Sequence, residues 1–305
     1  MDTRYLKTLV TTVETGSFSK AAEELHLTQS AVSQRVKFLE ERFGHKLIDR
    51  SGAKLALTSA GELVLDSAQR VLAIQDRLIK DLQRLHSKQR ISLCCTPTFG
   101  TVFLPSVLNV FMMENSSAVD LKFLFNSPDD AIEGVRNHEF DLAVIEHCSE
   151  TDLSAFNTFP LPDDELAFVS SPELGLPAPN LDLDALLNMR LLSRKDGCSS
   201  KQLVRAGLAG FGKQLEDFNG VVTSDDLHLT CQTVLAGGGV SFMSKDMVKD
   251  YLETGQMIAH HVKGFTHQRN RSVILNRERS TDPLLRSFVN CIFSVMNRPL
   301  PFEQT

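Results

Sequence analysis

The stretch GSFSKAAEELHLTQSAVSQRVKFLEERFGHKLIDRSGAKLALTSAGE, residues 16–62, decides the fold of the N-terminal part of this chain. Ser17 is placed to cap a short helix with an apolar face, and Thr28 is placed to cap a longer one. Gly44 predicts the end of the longer helix, since glycine readily takes the left-handed conformation found there. Apolar spacing over residues 5–14 predicts a further helix upstream.

A short β-hairpin is expected directly after these three helices. Leu47 and Ile48 on one side, and residues 55–57 on the other, flank a turn at Ser51-Gly52. Three short helices followed by a hairpin describe a winged helix-turn-helix. In this arrangement the third helix can enter a major groove of DNA while the second helix supports it. We therefore expect a DNA-binding domain over residues 1–58.

Residues 59–88 are predicted to form one long linker helix, because this segment lacks proline and holds a single early glycine. This helix carries an apolar stripe. The stripe either pairs with the same helix of a second subunit or packs on its own domain. Pairing is the preferred interpretation, since a long isolated helix needs a partner for its apolar stripe. The apolar positions recur at three- and four-residue spacing around the polar Gln75: Val64, Ala68, Val71, Leu78, Leu82 and Leu85.

The remaining residues, 89–305, alternate between short apolar strands and amphipathic helices. This β-α-β-α-β order predicts parallel sheets covered by helices. The order occurs twice, so we expect two α/β lobes in the manner of a periplasmic binding protein. Lobe I is placed at about 91–161 and 268–300, and lobe II at about 162–267. The chain is expected to cross between lobes near residues 159–162 and 262–269.

The charge is unevenly distributed along the chain. The net charge is −6, yet residues 1–60 carry nine Lys and Arg against seven Asp and Glu. A mildly basic N-terminal segment followed by an acidic remainder is typical of a DNA-reading domain joined to a sensor domain.

Several other classes of protein are disfavoured. No apolar run approaches the ~20 residues of a membrane span, and the N-terminus lacks the features of a signal peptide, so a cytoplasmic, nucleoid-associated protein without membrane contact is expected. The six cysteines are scattered without a CxxC pair, which disfavours a metal site or a disulfide framework. No nucleophile elbow, P-loop or GxGxxG motif is present, so neither an enzyme nor a cofactor is expected.

The opening stretch closely resembles the signature of LysR-type transcriptional regulators. The shared pieces are AAE, TQSAVS, LEE and FG, followed by L-x-x-R and LT-x-AG in the hairpin. TPTFGTVFLP, DLAVIE, DELAFVSSPELGL and VLAGGGVSFMS resemble the effector domain of that family more loosely. The resemblance implies a sequence-specific DNA-binding regulator that responds to a small effector. It also implies a homodimer through the linker helix, assembly into a tetramer, a promoter site with imperfect dyad symmetry, and RNA polymerase as a further candidate partner.

Candidate DNA contacts lie on the third helix and the hairpin. Gln34 suits an adenine edge, Ser33 a base or a phosphate, and Arg35 and Lys37 suit the DNA backbone. The alternative for each polar side chain taken alone is a solvated helix face. The third-helix candidates are Gln29, Ser30, Ser33, Gln34, Arg35 and Lys37, and the resemblance adds Arg50 and Lys54 on the wing.

The candidate effector cleft has two walls, each at the start of a helix, where free N–H groups attract anions. The resemblance places one wall at Thr96, Thr98, Phe99, Gly100 and Thr101, and the other at Cys198, Ser199 and Ser200. Glu146, Ser224 and Asp225 are expected to line the space between them. A small anion or carboxylate is the expected ligand, and helix capping is the alternative role for the hydroxyls. The turn reads G-C-S-S-K where the family pattern is close to G-S-G-T-R, so a bidentate arginine is absent.

Cys198 supports an alternative function within the same family. A thiol at a helix N-terminus beside Lys195 and Lys201 is placed for acidification. Peroxide-sensing LysR-type regulators use a cysteine in this turn, although here it follows Gly197 one position early. No second cysteine lies in the following helix, and the nearest one downstream is Cys231.

Overall fold

The computed structural model describes residues 2–49, 55–84, 89–115 and 119–302. It divides into two compact units, Met1–Ser87 and Lys88–Thr305.

The N-terminal unit has the predicted helix and hairpin order. Its elements are α1 (Thr3–Thr15), α2 (Phe18–Glu24), α3 (Gln29–Phe43), β1 (Ile48–Asp49), β2 (Ala56–Leu57) and α4 (Ser59–Arg84). The Thr28 hydroxyl accepts a hydrogen bond from the amide of Ala31 at 3.2 Å and so caps α3. Gly44 ends α3 with φ of +71°, a conformation that costs glycine no steric clash.

The first half of α4 packs on its own unit. Ala68 is buried in a core with Leu9 of α1 and Leu39 of α3, and Val64 packs against the same core. The stripe changes character further along the helix, where Val71, Ile74 and Leu78 are exposed. Packing on its own domain is therefore confirmed for the first half of the helix, and pairing with a second subunit stays a prediction for the exposed part. The side chain of Leu82 and the whole of Leu85 lie outside the described residues.

Lobe I of the C-terminal unit contains the predicted parallel strands. Strand β3 (Gln89–Cys95) lies between β4 (Val119–Phe125) and β5 (Leu142–His147), and the three run parallel. Helices cover both faces: α5 (Pro97–Val102), α6 (Leu104–Glu114), α7 (Pro128–Arg136) and α12 (Pro283–Val295). One core lies between the sheet and α6 and α12, and a second lies beneath α7.

Two antiparallel strands connect the lobes. Strand β6 (Asn157–Ser170) pairs along its first part with β11 (Gln268–Leu275), which in turn pairs with β5. Both of these pairings are antiparallel, so the predicted parallel strands form only part of a mixed sheet. The reason lies in β6 and β11, which run as long strands from one lobe to the other rather than returning through a helix.

Lobe II is built on the second part of β6. There β6 pairs with β9 (Ser241–Ser244) and with β10 (Ile258–His260), while β7 (Leu191–Ser193) pairs in parallel with β8 (Val221–Thr223). The covering helices are α8 (Leu183–Leu187), α9 (Ser199–Ala209), α10 (Leu227–Leu235) and α11 (Lys245–Glu253). Strands β7 and β8 end at the side of the lobe from which α9 and α10 begin, and this brings two loop clusters to one edge.

Candidate DNA-reading helix and ligand cleft

Helix α3 presents most of its predicted contact residues to solvent. Gln29, Ser30, Gln34 and Lys37 are exposed, and Ser33 is half-buried. Lys37 forms an exposed ion pair with Glu41, one turn further along the helix, at 3.5 Å. Exposed ion pairs contribute little free energy, so a DNA phosphate can take the place of Glu41 at Lys37. The exposed face therefore carries amide and hydroxyl groups with a cation at its edge.

Arg35 differs from its neighbours on α3. Its guanidinium donates to the hydroxyl of Thr8 on α1 at 3.3 Å and lies 6.0 Å from the ring centroid of Tyr5. These contacts direct the side chain back towards α1. The predicted wing residues Arg50 and Lys54 lie outside the described residues.

Glu40, the first glutamate of the LEE piece, was not among the predicted contact residues and has a structural role. Its buried carboxylate accepts hydrogen bonds from the amides of Leu47 at 3.0 Å and Ile48 at 3.4 Å, and from Lys46 Nζ at 3.0 Å. Burial opposes the charge, but these three donors outweigh it and hold the pKa of Glu40 below its ordinary value. Glu40 thus fastens the first strand of the hairpin to α3.

A cleft between the two lobes brings together distant parts of the sequence. Its lining comes from the start of α5, the end of β5, the start of β11, the loop after β7 and the loop after β8. The lining residues are Thr96, Pro97, Thr98, Asn126, Ser127, Pro128, Glu146, Arg194, Lys195, Cys198, Ser199, Asp225 and Arg269. The free space in the cleft is only about 20 Å³. Such a space holds about one water molecule, so the cleft as it stands has no room for a larger ligand.

Arg269 joins the two lobes across this cleft. Its guanidinium donates to Thr98 Oγ1 of lobe I at 3.3 Å and to Ser199 Oγ of lobe II at 2.8 Å. It also binds Asp164 of β6, with Nε 2.8 Å from the carboxylate. Ser199 in turn donates to the carbonyl of Glu146 at 2.9 Å. Arg269 was not among the predicted cleft residues, because its partners are far away along the chain.

A buried ion cluster lies beneath the cleft. Arg271 Nε donates to Glu146 at 3.2 Å, and its Nη2 approaches Asp164 at 3.1 Å. Thr96 donates a short hydrogen bond to Glu146. Burial raises the pKa of Glu146, while Arg269 and Arg271 oppose that shift. The predicted cleft residue Glu146 is therefore engaged with the arginines of β11.

Five predicted cleft residues take other positions. Phe99 is fully buried in the core of lobe I, and Thr101 is exposed. A Cβ at Gly100 would overlap the ring of Phe125, so this glycine allows close packing and does not line the cavity. Ser224 accepts from the amide of Asp226 at 3.1 Å within its own turn. Ser200 faces a second, smaller cavity inside lobe II.

The loop after β7 contributes two cations that sequence reasoning did not assign to the cleft. Arg194 Nη2 donates to Asp225 at 2.6 Å, and Lys195 Nζ lies 2.7 Å from the other oxygen of Asp225. Lys201, which stands where the family pattern has an arginine, is buried and pairs with Asp196 at 3.2 Å. The cationic groups that line this cleft are thus Arg194, Lys195 and Arg269.

Cys198 lines the cleft at the start of α9 and lies 3.3 Å from the hydroxyl of Ser200. The two lysines that flank it in sequence are each paired with an aspartate. Cys231 is buried in the core of lobe II, and burial raises its pKa. Within the described residues, no group of three or more His, Cys, Asp or Glu side chains is placed to hold a metal ion.

A winged helix-turn-helix unit together with a bilobed α/β unit that closes on a charged cleft defines a class of ligand-responsive DNA-binding proteins. The model of the LysR substrate binding domain matches residues 85–297. The model of the bacterial regulatory helix-turn-helix protein, lysR family, matches residues 3–62. The chain belongs to the LysR family of transcription regulators, with an N-terminal DNA-binding domain and a C-terminal effector-binding domain.

Relatives and solved structures agree with this assignment. The chain is 27% identical over 285 residues to the HTH-type transcriptional activator CmpR of Synechocystis sp., which covers 92% of this chain and 91% of CmpR. ArgP from Mycobacterium tuberculosis shares the fold with a TM-score of 0.63 at 19% identity, over 97% of both chains. Full-length CbnR, solved in complex with its target DNA, has a TM-score of 0.61 at 18% identity, over 97% of this chain and 100% of CbnR. No helix in the described part of the chain is both long and apolar enough to cross a membrane.

Proposed function

We propose that this regulator reads a promoter site of imperfect dyad symmetry through α3 and that a small anion in the lobe cleft alters this binding. The face formed by Gln29, Ser30 and Gln34 supports base contacts, since amide and hydroxyl groups suit base edges. The cations Arg194, Lys195 and Arg269 in the cleft are the single observation that carries the choice of an anion.

Dimerisation through α4 is part of the proposal. Val71, Ile74 and Leu78 leave an exposed apolar stripe that a second copy of α4 would cover. A dimer holds two copies of α3 together, so that two weak contacts add through effective concentration. CbnR, which shares the fold, was solved in complex with its target DNA, and this supports DNA binding here. Assembly into a tetramer, contact with RNA polymerase and residence on the nucleoid extend this proposal.

The experiment is a selection of bound fragments from genomic DNA of the source organism. Purified full-length protein is mixed with sheared DNA at about 50 mM and about 200 mM salt, and the bound fraction is sequenced. Enrichment of a short imperfect palindrome near promoters is expected at both salt concentrations. Salt-sensitive binding without an enriched sequence would contradict site-specific reading, and no binding at all would contradict the role of α3.

The thiol-sensing alternative rests on Cys198 alone. Its position in the cleft lining is the observation in favour of it. Against it, Cys231 is buried in the core of lobe II and is not presented to the cleft. The anion proposal uses three cleft cations and is therefore preferred.

A further inference from the structure

Arg194 is a buried cation with an unused hydrogen-bond donor. It follows β7 directly, its side chain is only 7% exposed, and it lines the cleft. Its Nη2 donates to Asp225, whereas its Nε is buried without a hydrogen-bond partner among the described residues. A buried donor left without an acceptor is costly, so it favours any ligand that brings an acceptor oxygen.

Asp225 binds both cations of the loop after β7. One of its oxygens binds Arg194 at 2.6 Å and the other binds Lys195 at 2.7 Å. Burial opposes its charge, but the hydrogen bonds from Lys195 and Arg194 outweigh burial and hold the pKa of Asp225 below its ordinary value. The side chain is 39% exposed, so it has a route to solvent that Arg194 lacks.

The geometry of the guanidinium shows how a ligand would compete. The Nε and Nη2 hydrogens of an arginine point to the same side and together fit the two oxygens of one carboxylate or phosphate. Asp225 divides its oxygens between Arg194 and Lys195 and thus leaves Nε unmatched. A free oxyanion can take both donors of Arg194 at once, which gives it a hydrogen bond that Asp225 does not make.

The size of the cavity makes the two occupants exclusive. With Asp225 in place, about 20 Å³ remains, which is room for about one water molecule. We propose that Arg194 and Lys195 form the anion-recognition subsite of the cleft and that Asp225 is a built-in competitor, displaced by the carboxylate or phosphate group of the effector. This inference rests on the proposed function, since it places the effector in the same cleft.

The test measures anion binding by full-length protein in the absence of DNA. Inorganic phosphate and succinate are titrated calorimetrically against wild type and Asp225→Asn, which keeps the size of the side chain and one acceptor oxygen. We expect Asp225→Asn to bind the preferred anion about tenfold more tightly, the scale of one charge-assisted hydrogen bond. Comparing the two probes shows whether the subsite prefers a phosphate or a carboxylate.

Asp196→Asn is the matched control. Asp196 also accepts from two cations, Lys201 at 3.2 Å and Arg205 at 2.9 Å, but it is 75% exposed and lies outside the cavity lining. This variant should bind both anions like wild type. Arg194→Gln should abolish binding, alone and combined with Asp225→Asn. Equal affinities for Asp225→Asn and Asp196→Asn would overturn the proposal, as would binding that survives Arg194→Gln.

A second measurement needs no variant. A crystal structure of wild-type protein at high phosphate should show the anion at Arg194 Nε with Asp225 turned towards solvent. An anion bound elsewhere while Asp225 stays on Arg194 would refute the competition.

The two proposals fail separately. If the DNA selection enriches no site but Asp225→Asn binds anions more tightly, the proposed function fails and the subsite stands. If a site is enriched while Asp225→Asn equals its control, only the subsite fails.

Discussion

At the scale of single residues, Glu40 shows how one carboxylate joins two elements of the DNA-binding unit. It lies on α3, yet its carboxylate accepts hydrogen bonds from the amides of Leu47 and Ile48. These bonds hold the start of β1 against α3. Backbone donors at a strand start have few other partners, because β1 and β2 are only two residues long. The hairpin therefore depends on a side chain outside it.

Replacing this carboxylate should loosen the hairpin. We expect Glu40→Ala to lower the free energy of unfolding of the N-terminal unit by about 1–3 kcal/mol, because two buried amides lose their acceptor. Hydrogen exchange at the amides of Leu47 and Ile48 should accelerate in parallel. The neighbouring variant Glu41→Ala removes only an exposed ion pair with Lys37 and should leave both amides protected. Equal exchange rates in the two variants would refute this role.

Base reading and backbone binding should separate between two residues of α3. Gln34→Ala should weaken binding to the selected site by about 1–3 kcal/mol while leaving nonspecific binding unchanged. Lys37→Ala should weaken binding to all sequences alike and reduce the salt slope by about one unit. Titrations against selected and scrambled DNA at several salt concentrations measure both quantities. A Gln34 variant that loses affinity equally for both DNAs would contradict base reading.

At the scale of elements, the helices were easier to predict than the arrangement of strands. The cap at Thr28, the apolar spacing of α3 and the stop at Gly44 lie within one short stretch, so local rules predict the helix well. Strand β11 is different. Its start reads Q-R-N-R, which is typical of a solvated loop, yet Arg269 and Arg271 are buried there. Their partners Asp164 and Glu146 are 105 and 125 residues away, beyond the reach of local patterns.

Helix α5 holds two residues that are typical of turns, Pro97 and Gly100, but proline is also favoured at the first position of a helix. Gly100 stands inside the helix because the ring of Phe125, from the neighbouring strand β4, packs against its backbone. Only the tertiary structure shows that contact.

The exposed part of the α4 stripe carries a prediction about assembly. We expect Leu78→Asp to shift the protein towards smaller species, because a charge would be buried at the contact between two α4 helices. Sedimentation velocity at several concentrations measures the shift. Gln69→Asp adds the same charge on the opposite, exposed face of α4 and should leave the assembly unchanged. An unchanged sedimentation profile for Leu78→Asp would refute pairing through this stripe.

At the scale of the whole molecule, the buried His260 and the half-buried His267 make lobe II sensitive to acid. Burial lowers the pKa of His260 and of His267 below the ordinary value of 6.5. The folded state thus binds fewer protons than the unfolded state below that pH. Stability is therefore complete above about pH 6.5 and falls as the pH decreases towards the folded-state pKa values. Neighbouring charges add to this for His267, since His261 and Lys245 also disfavour its protonation.

Thermal unfolding should show this dependence. The thermal unfolding midpoint of the C-terminal unit should decrease as the pH is lowered from about 7.5 to about 5.5. His260→Gln removes one titrating ring that bonds Ser170 Oγ at 2.8 Å and the carbonyl of Pro177 at 2.8 Å. This variant should be less stable than wild type at neutral pH, but its unfolding midpoint should decrease less than that of wild type on acidification. A wild-type midpoint that stays constant across this range would contradict the prediction.

The ion cluster of Glu146, Asp164, Arg269 and Arg271 constrains how this protein can change in evolution. Each member is buried and balanced by members on other strands. Neutralising one member leaves an opposite charge unpaired in the interior and lowers the free energy of unfolding by about 3–5 kcal/mol. Replacing a matched set with apolar residues can instead leave the stability nearly unchanged. Relatives of this chain that alter the cluster should therefore carry compensating exchanges at two or more of these positions. Asp225 is 39% exposed and can be solvated, so the cleft wall around it is less restricted, and effector preference can diverge there while the base of the cleft stays fixed.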